Sequence, residues 1–202
     1  MRDPYLYDDV PVLKNLLGIK DAGLLEQAEA DITAFYFSDV DGAIQLQKFD
    51  LHYLLAIHKY IFGEIYEWAG MIRTIPIIKS EKILGGDTVR YSQPNKIEQD
   101  CKNILKKLID VNWKIMGINE TAEDFTRHIA NLWQVHPFRE GNTRTIITFA
   151  TQFAEVNNFR MDKTLLKDNA AYVRDALVKA SDGQYSEYKY LVKIFADAIK
   201  RG

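Results

Sequence analysis

Two apolar-patterned stretches, broken once, set most of what this chain can fold into. Phe125, Ile129, Leu132 and Trp133 share one stripe of a helix that runs into His136, and a second apolar-patterned segment extends from Thr145 to Phe159. Between them lies His136-Pro137-Phe138-Arg139-Glu140-Gly141-Asn142-Thr143-Arg144. The break therefore falls at a helix N-terminus, where unpaired backbone N–H groups form an anion site. These residues are dense in phosphate-handling groups. His136 can accept a proton near neutral pH. Glu140 can hold a divalent cation by its oxygens. Gly141-Asn142 gives a tight turn whose N–H groups can point at an anion, and Arg144 can grip phosphate oxygens in a fork. Base, metal ligand, anion cradle and clamp together point to transfer of part of a nucleotide.

Taken singly, each residue has an ordinary explanation. A histidine ending an amphipathic helix is usually a core or capping residue, Phe138 is a buried anchor whatever the chemistry, and Glu-Gly-Asn is a common turn. The combination at these offsets is what a plain pair of packed helices does not require.

The rest of the chain reads as more helices with one interruption. Residues 1–12, polar and proline-punctuated, form an extended N-terminal arm, and 13–202 form one domain. Asp21 caps a helix to about Asp39, with Leu24, Leu25, Ala28, Ile32 and Phe35 on one face. Asp50 caps the next, which carries Leu51, Leu54, Leu55, His58 and Ile61 at helical spacing, with His58 read as a packed histidine rather than a ligand. Between Gly70 and Pro94 the period changes. Ile72, Thr74, Ile75, Ile77 and Ile78 are β-branched, and Gly85-Gly86-Asp87 precedes Thr88-Val89-Arg90-Tyr91, so a β-hairpin is predicted there. Pro94 opens a helix to about Met116, Gly117 stops it, and Thr121-Ala122-Glu123-Asp124 resembles a capping box. Helices at about 165–181 and 184–200 close the chain. The predicted class is all-α, a helical bundle with one small β-hairpin.

Composition excludes several functions. The net charge of −2 gives no general attraction to nucleic acid or an anionic membrane. Cys101 is the only cysteine, so no internal disulfide can form, which fits a cytoplasmic location. The start lacks the apolar core of a signal peptide, and no apolar run approaches the roughly 20 residues that span a bilayer. No His-x-x-x-His, paired-cysteine or Gly-Lys-Ser/Thr phosphate loop is present.

The segment from His136 resembles the Fic family signature His-Pro-Phe-x-(Asp/Glu)-Gly-Asn-Gly-Arg-x-x-Arg. His136, Pro137, Phe138, Glu140, Gly141, Asn142 and Arg144 match, while Thr143 and Ile147 stand at the second glycine and the second arginine. Asn15-Leu16-Leu17-Gly18-Ile19-Lys20-Asp21 is similar to the opening of the first helix of bacterial Fic toxins. Phe62 to Gly70, followed by Arg73, is similar to the segment leading to the family's flap.

The resemblance implies a Fic fold with the β-hairpin flap beside the active-site loop, and Mg²⁺-dependent transfer of AMP from ATP to a Ser, Thr or Tyr hydroxyl of a target protein. It makes His136 the base, Glu140 the Mg²⁺ ligand and Gly141, Asn142, Thr143 and Arg144 the phosphate site. Phe138 holds the loop down, and Arg139 faces solvent. Ile77, Ile78, Lys79, Val89 and Tyr91 are the flap candidates that dock the target as an added strand. A bacterial type II topoisomerase subunit is the family-level expectation for that target. The inhibitory Ser/Thr-x-x-x-Glu-Gly/Asn pattern of many Fic proteins is absent, which resembles the class controlled by a separate small antitoxin. Thr143 and Ile147 keep open another phosphate-containing donor, kinase chemistry like that of the related Doc toxins, or a nucleotide- or partner-binding protein without activity.

Overall fold

The computed structural model describes residues 3–37, 39–44 and 48–201. The architecture is all-α, and its centre is the broken pair of helices. Helix α5 (Ile118–Val135) buries Phe125, Ile129, Leu132 and Trp133, the stripe read from the sequence. Helix α6 (Asn142–Val156) is covered nearly all round, burying Ile146, Phe149, Ala150 and Phe153 together with Thr145, Thr148 and Thr151. A helix buried on every side must satisfy its polar side chains internally. The threonine hydroxyls do so by donating one turn back, Thr145 to Gly141 O (3.0 Å) and Thr148 to Arg144 O (2.9 Å). Phe125 joins the layers: its ring lies 5.5 Å from Trp113, 5.2 Å from Phe159 and 5.8 Å from Phe195.

Around this centre pack α1 (Ala22–Phe37), the short α2 (Val40–Ala43), α3 (Leu51–Phe62) and α4 (Ile97–Asp110). After α6 come α7 (Lys163–Asp168), α8 (Ala170–Ala180) and α9 (Lys189–Ala198). Strands β1 (Phe159–Met161) and β2 (Ile199–Arg201) pair antiparallel, Phe159 opposite Arg201, and tie the end of α6 to the end of α9. Both expected caps form: Asp50 Oδ1 accepts from Tyr53 N (3.1 Å), and Asp21 Oδ1 from Leu24 N (2.9 Å). No helix among the described residues is long and apolar enough to cross a membrane.

Several expectations are corrected. On α1, Leu24 and Phe35 are exposed, and Leu25 and Thr33 are the buried pair. Helix α4 ends at Asp110 rather than Met116, because Val111 turns extended and Trp113 enters the core, its indole donating to Leu108 O (2.9 Å). Thr121 opens no capping box. Gly117 is the N-cap, its carbonyl accepts Thr121 N (2.8 Å), and Thr121 is buried inside α5. The helix expected at 165–181 is two helices, separated where Asn169 folds its side chain back to Leu165 O (2.8 Å). The N-terminal arm is not extended. Tyr7 N donates to Val12 O and Lys14 N to Tyr5 O, folding it back on itself and burying Val12; its first two residues lie outside the described set.

The predicted hairpin is the largest correction. Residues 75–92 form a chain reversal, but no strand is present in it; the sheet among the described residues is β1–β2. Glu81 N donates to Asp87 O (2.8 Å) and Gly86 N to Glu81 O (3.0 Å) at the tip, around a 3₁₀ turn at Lys82–Leu84. The arm leading to the tip is nonetheless strand-like in its facing. Ile75, Ile77, Lys79 and Glu81 turn inward, while Pro76, Ile78 and Ser80 turn to solvent. β-Branched residues favour extended backbone, but a ladder also needs a registered partner, and the two arms do not provide one.

Candidate active site

Helix α5 ends by placing His136 in the left-handed region (φ 52°), with its N–H on Trp133 O at 3.0 Å. A non-glycine residue held there stores strain, which the surrounding structure must impose. Arg73 imposes it. This buried guanidinium donates to His136 O (2.7 Å), Val135 O (3.4 Å), Ile75 O (2.6 Å) and Ser92 O (2.6 Å), while Arg73 N donates to Pro137 O (2.9 Å). One side chain thus joins the end of α5 to both roots of the flap.

The imidazole of His136 lies against Tyr91, ring centroids 4.2 Å apart, and neither ring nitrogen has a hydrogen-bond partner. Burial, with the positive charges of Lys79 and Arg73, holds its pKa well below the ordinary histidine value. It is neutral at physiological pH and free to take a proton.

The loop that follows is locked internally. Phe138 is buried and stacks on His58 with centroids 3.8 Å apart. His58 accepts Gly70 N–H on Nδ1 (2.8 Å), so its Nε2 carries the proton and donates to Glu140 O (3.0 Å). Burial pushes its pKa down to about 3. His58 is the packed histidine expected, and it also braces the loop. Asn142 departs from its expected place in the anion site: its side chain accepts from Phe138 N (2.9 Å) and donates to Phe138 O (2.8 Å), which leaves only its backbone for an anion. Gly141 has φ 79°, and a Cβ there would lie 2.4 Å from Phe62 Cζ, so only glycine fits.

Glu140 turns its carboxylate to the cavity. Oε1 accepts Gly141 N–H (3.0 Å), and Oε2 pairs with Lys79 Nζ (3.2 Å). Burial raises this carboxyl's pKa, but the Lys79 ammonium and the Gly141 N–H outweigh it and hold the group at about 2. Thr143, at the departed glycine position, accepts the indole N–H of buried Trp133 (2.9 Å). Its hydroxyl satisfies a donor that glycine would leave unpaired.

Arg144 is already engaged. It pairs with Glu29 of α1, donates to Thr33 Oγ1 (3.2 Å) and lies 4.7 Å over the Phe62 ring. Ile147 packs on the core rather than lining the cavity. Arg139 does not face solvent as expected; it forks onto Asp3 of the N-terminal arm at 2.9 and 2.7 Å.

The cavity holds about 310 Å³ and is lined by Lys79, Trp133, His136, residues 140–144, and Ala170, Ala171 and Arg174 of α8. A second cavity of about 350 Å³, between Arg90, Ser92 and α4, has none of these groups, so the chemistry assigns the site to the first. Of the flap candidates, Ile78 is 84% exposed, while Val89 and Tyr91 are buried and offer a target only their backbone. Arg174, which the sequence reading missed, pairs with buried Glu81 (2.9 Å) and fastens the flap tip to α8.

Comparison with known proteins agrees with this geometry. Residues 48–154 match the Fic/DOC family. Protein adenylyltransferase VbhT of Bartonella schoenbuchensis is 32% identical over 161 residues, covering 79% of this chain but 32% of that protein, so the match spans about a third of that relative's length. "Probable protein adenylyltransferase y4lH" of Sinorhizobium fredii is 26% identical over 187 residues, 91% of this chain and 90% of that one. Among solved structures, the N-terminal Fic domain of a VirB-translocated Bep effector from Bartonella quintana, with bound ADP, superposes with a TM-score of 0.81 at 25% identity, covering 98% of this chain and 94% of that one. The family match covers more than half of the chain and includes every residue of the locked loop, so this protein belongs to the Fic/DOC family.

Proposed function

We propose that this chain is a protein adenylyltransferase that moves AMP from ATP to a hydroxyl of a target protein. The observation that carries the reading is His136, a neutral imidazole with both nitrogens unpartnered, beside a loop that turns N–H groups and a carboxylate into a cavity also lined by Lys79, Arg144 and Arg174. The names of the two relatives and the ADP-bound neighbour support it.

In this reaction the target hydroxyl oxygen bonds to the α-phosphorus. The bond from that phosphorus to the bridging oxygen breaks, pyrophosphate leaves, and the hydroxyl proton passes to His136. Such a base contributes about 10²–10⁴-fold. Its lowered pKa moves toward the working range when an anionic nucleotide enters, because nearby negative charge favours the protonated form. The first N–H groups of α6 have no intrahelical acceptor and serve the phosphates.

The donor set fits Mg²⁺. Glu140 is a single hard carboxylate kept ionised, and this ion is commonly held by one or two carboxylates together with substrate phosphates and water. The chemistry Mg²⁺ supplies when bound is neutralisation of charge on the phosphate oxygens.

The unladdered arm at 75–80, with side chains alternating inward and outward, supports docking of a target segment as an added strand. A topoisomerase subunit as target and a separate small antitoxin as regulator belong to this proposal.

The test is incubation with Mg²⁺ and ATP labelled on either the α- or the γ-phosphate in a bacterial lysate. Protein label from the α-phosphate is expected. Label from γ alone would assign kinase chemistry, and no label from either would leave a binding protein.

A further inference from the structure

Three cations line the cavity, and two are bound to fixed partners. Arg144 is held by Glu29, Thr33 and the Phe62 face, and Arg174 by Glu81, a buried carboxylate that would lose its countercharge if Arg174 moved. Lys79 differs from both. Its partner Glu140 is about a third exposed (34%), and it is the carboxylate a nucleotide's metal would claim. Lys79 also differs from the other flap cations. Lys82 and Arg90 are exposed, whereas Lys79 is turned inward with 25% of its side chain exposed. Its backbone N–H donates to Thr88 Oγ1 (3.2 Å), which fixes that facing. The ammonium therefore sits where Glu140, the Gly141 N–H and the His136 ring converge.

We propose that Lys79 is a specificity-determining residue of the nucleotide site: its ammonium binds the polyphosphate chain of the donor. This inference rests on the adenylyl-transfer reading and names a reader of the donor within it. A lysine suits the task, because its three rotatable donors on a flexible stem can leave one oxygen and take another. The flap that presents a target then also carries a contact to the donor. A nucleoside monophosphate, which lacks the chain, gains little from Lys79.

The test is calorimetry of ATP and AMP binding in Mg²⁺ buffer for the wild type, Lys79→Met and Lys79→Arg, with melting curves to confirm the fold. Lys79→Met should weaken ATP binding at least tenfold and AMP binding less than twofold, and Lys79→Arg should keep ATP within about threefold of wild type. The proposal is overturned if Lys79→Met weakens both nucleotides equally, leaves both unchanged, or tightens ATP by releasing Glu140. A wild type that binds no ATP would instead overturn the adenylyl-transfer reading itself.

Discussion

The loop after α5 and the flap meet at the Lys79–Glu140 contact, yet they are held in opposite ways. Between His136 and Arg144 nearly every group is fixed from within the fold: Phe138 by His58, Asn142 by both polar atoms of the Phe138 backbone, Gly141 by the approach of Phe62, and Thr143 by Trp133. Between Ile75 and Ser92 the chain is fixed at its roots by Arg73, at its tip by Glu81 and once between, where Lys79 N–H meets Thr88 Oγ1, and no ladder joins the two arms. The contrast separates two requirements. A group that moves a proton has to stand still, while a segment that accepts a variable peptide has to leave its own backbone groups unpaired.

The comparison breaks first at His136. Replacing it with Ala should lower transfer by about 10²–10⁴-fold, with a melting temperature near wild type because Phe125, Ile129, Leu132 and Trp133 carry the burial of α5. An unfolded variant would make His136 a structural residue. Gly141→Ala should come next, losing about 2–4 kcal/mol of stability from overpacking against Phe62 and left-handed strain. Denaturant unfolding measures this, and an unchanged midpoint would show that the loop yields as readily as the flap. Thr143→Val removes the acceptor of the Trp133 indole and should cost about 1–3 kcal/mol, whereas Thr143→Ser should remain near wild type. Equal stability of the two variants would remove Thr143 from the locking network.

A smaller effect follows from pH. The pKa of His58 is lower in the folded chain, at about 3, than in the unfolded one, so its contribution is fully present above about pH 6.5 and is lost as pH falls. By pH 5.5 the loss should be about 1.4 kcal/mol from His58, and His136 and His128, both shifted the same way by burial, add to it. A stability curve flat between pH 7 and 5.5 would contradict the neutral, bonded His58. The smallest effect belongs to the flap: Ile78→Ser should change stability by less than about 0.5 kcal/mol while raising the KM for the target. A large loss of stability would mean the flap is as deeply built into the fold as the loop.

Legibility in the sequence divides along the same line. The α5 stripe, the Asp21 and Asp50 caps and the packed His58 were readable because helical spacing and capping are local. The loop residues were readable by type, but not the use of each. Asn142 looks like an anion ligand until its side chain is seen closing on Phe138, and Thr143 looks like lost space until Trp133 is placed beside it. Arg144 meets Glu29 across 115 residues, and Arg139 meets Asp3 across 136. No periodicity encodes such encounters, since they depend on how whole helices and the arm pack. The flap misled for another reason: its β-branched residues match the alternating facing of the arm and say nothing about whether the two arms register.

Arg73 gives the flap a fixed origin from which residues are counted. Its guanidinium holds the carbonyl of Ile75 in the same frame as that of His136, so the number of residues beyond Ile75 decides which side chains face the cavity. Deleting Pro76 or Ile77 would turn Ile78 inward and Lys79 outward, as a one-residue slip does in any extended chain. The length of this arm is therefore constrained more tightly than its composition. The outward positions at Pro76, Ile78 and Ser80 can be exchanged to suit one target or another, provided the count from Arg73 is kept.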